Sequence, residues 1–100
     1  MLPEAEELRR LVREAARRAG REWWRWEDEA ARLLSERGYG LEECRELSSY
    51  SPPGAGILRR RLRCLVRAPD GRRLLLFVVV SAGGDPREPC WVEYVSVGRA

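Results

Sequence analysis

The residues of this chain that could do chemistry are mainly arginines gathered in its second half. Guanidinium groups on one face of a β-hairpin can contact phosphates, with an affinity that falls steeply as salt is raised. The same pattern is typical of a charged face that protects a sheet edge from aggregation or contacts a protein. Both interpretations stay open here. Seven arginines fall between residues 59 and 73, with Asp70 as the only acid among them: Arg59, Arg60, Arg61, Arg63, Arg67, Arg72 and Arg73.

A second group, Trp23-Trp24-Arg25-Trp26, combines aromatic rings with a cation, as do sites that stack on bases. Successive side chains of a helix point in different directions, so the three rings cannot share one face. Trp23 and Trp26, one turn apart, are expected to pack on a sheet, which leaves Trp24 at the surface. The candidate residues for binding nucleic acid or a partner are therefore Arg59, Arg61, Arg63, Arg67, Arg72, Arg73 and Trp24.

Catalytic and metal-binding patterns are missing from the sequence. There is no histidine, the commonest general base and metal ligand. Glu27, Asp28 and Glu29 are consecutive on a predicted helix, so their carboxylates diverge and do not line one metal site. The sequence has no glycine-rich phosphate loop, no metal-spaced ligand set and no nucleophile elbow. We therefore predict a protein that is not an enzyme, with no catalytic residues, no metal and no cofactor.

The cysteine pattern bears on the redox state and the compartment. Cys44, Cys64 and Cys90 form no CxxC pair, and an odd count argues against a disulfide framework. Free cysteines are commonly buried, so three buried, reduced thiols are expected. The first residues lead directly into an acidic helical pattern, without the basic and apolar regions of a secretory signal. These observations together predict a cytoplasmic protein.

Composition and length predict one soluble domain, residues 1–100. The chain is 44% hydrophobic and 35% charged, and no apolar run approaches the roughly 18 residues of a membrane span. Arginine supplies all 19 positive charges, while Lys, Thr, Asn, Gln and His are absent. A very GC-rich genome and a designed, restricted alphabet both fit this usage, and a de novo origin stays open. The second half, with 9 arginines and 4 acids, carries the basic excess.

The first half has the pattern of helices. Pro3 followed by acids predicts a helix start, because proline tolerates the first helical position and acids complement the helix dipole. Apolar residues recur at three- and four-residue steps until Gly20, resume afterwards, and stop at Gly38. A continuous helix over 4–37 would be about 50 Å long, too long for a domain of about 13 Å radius of gyration. A break near Gly20 is predicted, with a long helix in a homo-oligomer as the alternative.

The second half has the pattern of strands and turns. The segment 41–49 is expected at an edge, and residues 72–81 are apolar on both faces, which predicts a central strand covered on at least part of each face. We predict an α+β fold: an N-terminal helical segment, broken near Gly20, packed on a three- to four-stranded antiparallel sheet. The predicted strands are 41–49, 57–67, 72–81 and 90–97, with a hairpin turn at 69–71. The predicted core is Leu11, Ala15, Trp23, Trp26, Ala30, Leu34, Leu62, Cys64, Leu76, Val78 and Val80.

One segment resembles a known family. Residues 21–39 look like the opening helix of small PD-(D/E)xK, restriction-endonuclease-like proteins related to Holliday-junction resolvases, in which a helical Glu precedes Ala-Ala, Leu-Leu and Gly-Tyr. Residues 64–71 and 75–81 are similar to the two core strands of that family. The resemblance implies a nuclease-like fold.

The resemblance also implies that catalysis has been lost. The family needs an Asp on the first core strand, and a Glu and a Lys two residues apart on the second, to bind magnesium and orient a water. At the matching positions this chain has Cys64, Val79 and Ser81, and only Glu27 matches the helical acid. The resemblance therefore implies a pseudoenzyme that binds nucleic acid or a partner.

A second resemblance concerns the order of the elements. A helical pair followed by an Arg-rich β-meander looks like the RelE/ParE toxins, which attack ribosome-bound messenger or a topoisomerase. Taken together, the sequence predicts a non-catalytic binding module that contacts nucleic acid or a protein partner through an Arg-rich hairpin face. A designed or structural domain without activity and a RelE/ParE-like toxin are the alternatives.

Overall fold

The computed structural model describes residues 2–51, 53–54, 56–85 and 87–100. The predicted α+β architecture is confirmed, with two helices packed on a four-stranded antiparallel sheet. No helix in the described ranges is long and apolar enough to cross a membrane. The elements are α1 (Ala5–Ala19), a 3₁₀ turn (Trp23–Arg25), α2 (Trp26–Glu36), β1 (Gly40–Tyr50), β2 (Ile57–Arg67), β3 (Arg73–Gly83) and β4 (Trp91–Arg99).

The predicted break in the helical segment is confirmed. α1 ends at Ala19, and Gly20 has a φ of 61°, in the left-handed region that glycine adopts at little cost. The chain then passes through the 3₁₀ turn and begins α2 at Trp26. The alternative of one continuous helix over 4–37 is therefore wrong, and a homo-oligomer through the N-terminal helix stays a prediction.

The sheet is a simple meander with the order β1-β2-β3-β4. All neighbouring strands are antiparallel, so β2 and β3 form the centre while β1 and β4 form the edges. The predicted turn between β2 and β3 is present, and the backbone N–H of Ala68 donates to the carbonyl of Arg72 across it at 2.7 Å. The segment 41–49 is an edge strand, as predicted.

The helices cover only one face of the sheet. α1 packs against α2 and β4, and α2 packs against β1. The indole of Trp26 lies inside this layer, 1% exposed, and its Nε1–H donates to the carbonyl of Val12 at 3.0 Å. All of the predicted core residues are buried except Trp23, which is half-buried. β3 is central as predicted, and its second face carries no helix among the described residues: Leu75 and Val79 are half-buried there, Ser81 is buried, and Phe77 is exposed.

The prediction of three reduced thiols is also wrong. The β1–β2 register places Cys44 directly opposite Cys64, and the two form a disulfide with their Cα atoms 4.1 Å apart. Such short separations are typical of the non-hydrogen-bonded pairs of an antiparallel ladder. Only Cys90 among the three is free, and its buried Sγ donates to the carbonyl of Ala16. Burial raises the pKa of the Cys90 thiol.

Candidate nucleic-acid interface

The side of the sheet opposite the two helices, here called the open face, carries most of the candidate arginines. Leu62, Cys64 and Val66 of β2 are buried under the helices. Because side chains alternate along a strand, the odd-numbered residues of β2 point the other way. The open face comprises Glu42, Glu43, Arg45, Ser48 and Tyr50 of β1, Arg59, Arg61, Arg63, Leu65 and Arg67 of β2, Arg73, Leu75, Phe77 and Val79 of β3, and Glu93, Tyr94 and Ser96 of β4.

Three arginines of β2 on this face have no acidic partner among the described residues. Arg61, Arg63 and Arg67 are all exposed, and none forms an ion pair with a carboxylate in the described ranges. The guanidinium of Arg67 lies over Gly40 of β1, where a Cβ atom would come within 3.2 Å of Nη2. The missing side chain of Gly40 therefore leaves room for this cation. All three guanidinium groups are open to an external anion.

Two more arginines of the open face are paired, but only in exposed ion pairs. Arg59 Nε lies 2.9 Å from Oε2 of Glu93, across β3, and Arg73 Nε lies 3.4 Å from Oε1 of Glu42. The side chains of Arg59 and Arg73 are 41% and 62% exposed. Exposed pairs contribute at most about 1 kcal/mol, so a phosphate can replace the carboxylate at little cost.

The open face carries the whole charge excess of the chain. The chain has 19 arginines and 16 acids, a formal charge of +3. Six of these arginines and three of these acids lie on the open face, which leaves 13 of each elsewhere. The face therefore presents a positive potential to solvent while the rest of the chain is balanced. The charged residues counted on this face are Arg45, Arg59, Arg61, Arg63, Arg67, Arg73, Glu42, Glu43 and Glu93.

Arg72, another predicted binding residue, does not belong to the open face. It follows the β2–β3 turn, where its Nε lies 2.6 Å from Oδ2 of Asp70 and its Nη2 contacts Glu4, just before α1. The hydrogen bond to Asp70 raises the pKa of the Arg72 guanidinium. The backbone N–H and the side chain of Arg72 in turn lower the pKa of Asp70. Arg72 thus joins the turn to the helical layer.

Trp24 is exposed as predicted, but it lies away from the open face. Its side chain is 58% exposed and sits edge-on to Trp23, with ring centroids 5.5 Å apart. It lines a groove of about 450 Å³ in the helical layer, together with Gly83 and Gly84 at the end of β3. Trp24 therefore does not share a surface with Arg61, Arg63 and Arg67.

Arg60 and Arg61 are neighbours in sequence with opposite environments. Arg60 points under the helices, where Nη2 lies 3.0 Å from Glu27, Nε lies 2.7 Å from Glu46, and Cζ lies 5.1 Å from the ring centroid of Trp23. The side chain of Arg60 is only 12% exposed. Its role is to attach α2 and the 3₁₀ turn to the sheet.

Because their environments differ, replacing Arg60 and replacing Arg61 should have different effects on stability. Arg60→Ala should lower the free energy of unfolding by about 1–2 kcal/mol, because a desolvated cation–π contact and aliphatic packing are lost. Arg61→Ala, which changes the same charge, should alter stability by less than about 0.5 kcal/mol. Urea denaturation followed by tryptophan fluorescence measures both. Equal losses in the two variants would contradict the assignment of opposite faces.

The positions assigned by resemblance to nuclease catalysis do not share one side of the sheet. Glu27 of α2 pairs with Arg60, and Cys64 is bonded to Cys44 beneath the helices. Val79 instead lies on the open face. No group of three or more Cys, Asp or Glu side chains in the described part of the chain is placed to hold a metal ion. The resemblance to PD-(D/E)xK proteins stays a prediction.

Three exposed aromatic residues of the open face were not predicted from the sequence. Tyr50 of β1 lies opposite Arg59 and is 56% exposed. Phe77 is 38% exposed and Tyr94 is 56% exposed. Phe77 and Tyr94 line a concavity of about 260 Å³ together with Arg61 and Leu47. Alternation with the buried Val78 and Val95 is the sequence signal that indicates the exposure of Phe77 and Tyr94. A strand expected to be partly covered on both faces, however, gives no reason to place Phe77 at the surface.

No protein-family model, no curated protein and no solved structure matches this chain. The function is therefore inferred from the geometry and charge of the open face.

Proposed function

We propose that this chain is a non-catalytic module that binds nucleic acid through the open face. The observation that carries the proposal is the row formed by Arg61, Arg63 and Arg67, exposed on the uncovered face without carboxylate partners in the described ranges. A guanidinium group is planar, stays charged at all physiological pH values, and donates two parallel hydrogen bonds to a phosphate. A row of such groups on a rigid central strand suits a polymer of phosphates.

The surroundings of this row support the proposal. Arg59 and Arg73 flank it in exposed ion pairs that a phosphate can exchange. β2 is hydrogen-bonded on both sides, to β1 and to β3, so the spacing of the guanidinium groups is held by the sheet. The local charge excess increases the association rate of a polyanion at low salt. An acidic protein would meet the same cations, so competition between labelled nucleic acid and an acidic peptide distinguishes the two partners.

The expected result is strongly salt-dependent binding. Each phosphate neutralised contributes about 0.7–0.9 to the slope of log affinity against log salt. With roughly three to four phosphates contacted, affinity should fall by about 20- to 150-fold between 50 and 200 mM salt. Fluorescence anisotropy with labelled DNA and RNA of mixed sequence measures this slope. An unlabelled acidic peptide should compete weakly.

A pair of matched double variants locates the site. Arg61→Gln/Arg63→Gln should reduce the slope by about 1.4–1.8. Arg9→Gln/Arg10→Gln on α1 removes the same charge from the helical layer and should leave the slope unchanged. The proposal fails if the protein does not bind nucleic acid at 50 mM salt, or if both double variants lose affinity equally.

A further inference from the structure

The shape of the open face limits which form of nucleic acid it fits. A two-stranded ribbon can enter the major groove of a duplex, which is about 12 Å wide. The β2–β3 hairpin is not such a ribbon, because β1 and β4 pair with its two sides. Four strands at about 4.8 Å spacing are about 14 Å across before side chains are added. A duplex would therefore meet this face only along its backbone.

The exposed rings of the open face have no role in such a backbone contact. Phe77 and Tyr94 lie on the adjacent strands β3 and β4. Phe77 is directly opposite Ser96, and Tyr94 is directly opposite Val79, so the two rings are diagonal neighbours on one face of the sheet. The concavity that they line is about 260 Å³. This is smaller than the roughly 300–1,000 Å³ of a typical small-molecule site. A concavity of this size suits one planar ring, such as a single base of a longer polymer.

The register places cations and rings in parallel rows across the sheet. Arg61 of β2 pairs with Val79, which pairs with Tyr94. Arg63 of β2 pairs directly with Phe77. Each row therefore has a guanidinium group on β2 and an aromatic ring on the β3–β4 side. A backbone that follows β2 would direct its bases toward the rings.

We infer that the ligand of the open face is single-stranded nucleic acid, with phosphates along β2 and bases stacked on Phe77 and Tyr94. The inference rests on the proposed function. Base faces are accessible only when a strand is unpaired, and stacking on aromatic side chains tolerates any base. A second copy of the chain is a poor occupant, because two such faces would bring like charges together.

The test compares three probes: a labelled oligothymidylate, a labelled duplex of equal length, and inorganic polyphosphate as a competitor. The single strand should bind at least about tenfold more tightly than the duplex at 200 mM salt, because stacking resists salt. Tyr94→Ala should weaken single-strand binding by about 5- to 150-fold. The salt slope of this variant should equal that of the unchanged protein, because no phosphate contact is lost.

Trp24→Ala is the matched control, since it removes an exposed ring from the helical layer and should leave affinity unchanged. Phe77→Leu keeps an apolar side chain while removing the ring, and should also weaken the single strand selectively. Equal binding of all three probes, with no effect of Tyr94→Ala, would overturn this inference and leave the proposed function standing. Equal losses in Tyr94→Ala and Trp24→Ala would also overturn it. Absence of binding to any probe at 50 mM salt would overturn both proposals.

Discussion

Trp26→Ala is expected to lower the free energy of unfolding by about 3–5 kcal/mol. Trp26 is the largest of the fully buried side chains and begins α2. Its indole fills the space between the two helices and donates to the carbonyl of Val12. Alanine would leave a cavity and remove this link between α1 and α2. Equilibrium urea denaturation followed by far-ultraviolet circular dichroism measures the change.

Trp24→Ala serves as the control for this prediction too. Trp24 lies two positions earlier and is 58% exposed, so its removal should cost less than about 0.5 kcal/mol. Because small domains are stable by only about 5–15 kcal/mol, Trp26→Ala should leave a marginal fold. A loss in Trp26→Ala as small as that in Trp24→Ala would contradict the packing of the helical layer.

Reduction of the Cys44–Cys64 disulfide is expected to lower the free energy of unfolding by about 3 kcal/mol. The bond joins residues 20 positions apart and restricts the unfolded chain. It also ties the edge strand β1 to the central strand β2. Denaturation curves with and without a reductant, at the same protein concentration, measure the difference.

Two variants and a chemical measurement check the assignment of this bond. Cys44→Ala/Cys64→Ala should remove the effect of the reductant, whereas Cys90→Ala should retain it. Alkylation of the denatured, non-reduced protein should modify one thiol, that of Cys90, as read from the intact mass. Modification of three thiols would show that the bond does not form.

Several features of the fold could be predicted because they depend on local periodicity. The apolar residues of β2 alternate with arginines, and a strand necessarily sends alternate side chains to opposite faces. This alternation predicted the burial of Leu62 and Cys64 and the common face of Arg61 and Arg63, as the structure has them. The break at Gly20 was also predictable, because a continuous helix would be too long for the domain and because glycine adopts a left-handed backbone at little cost.

The partners of the arginines were decided only by the tertiary structure. Strand alternation puts Arg60 and Arg61 on opposite faces of β2, but it does not say what either side chain contacts, nor what Arg72 contacts beyond the turn. In the fold, Arg60 stacks on Trp23 and Arg72 pairs with Glu4, while Arg61 stays exposed on the open face. Arg60 and Arg72 differ from Arg61 because the residues that contact them, Trp23 and Glu4, come from the N-terminal part of the chain. These partners are distant from the arginines in the sequence. Composition and spacing carry no information on such contacts.

The disulfide and the aromatic part of the candidate interface were likewise decided by packing between distant segments. Cys44 meets Cys64 because bulges in β1 shift its register against β2, and a one-residue shift would send the two side chains to opposite faces. Phe77 and Tyr94 are exposed because two helices suffice to cover only one face of a four-stranded sheet. Local sequence determines which residues share a face of a strand. Which face becomes the core depends on where the helices pack, since burial is a property of the assembled layers.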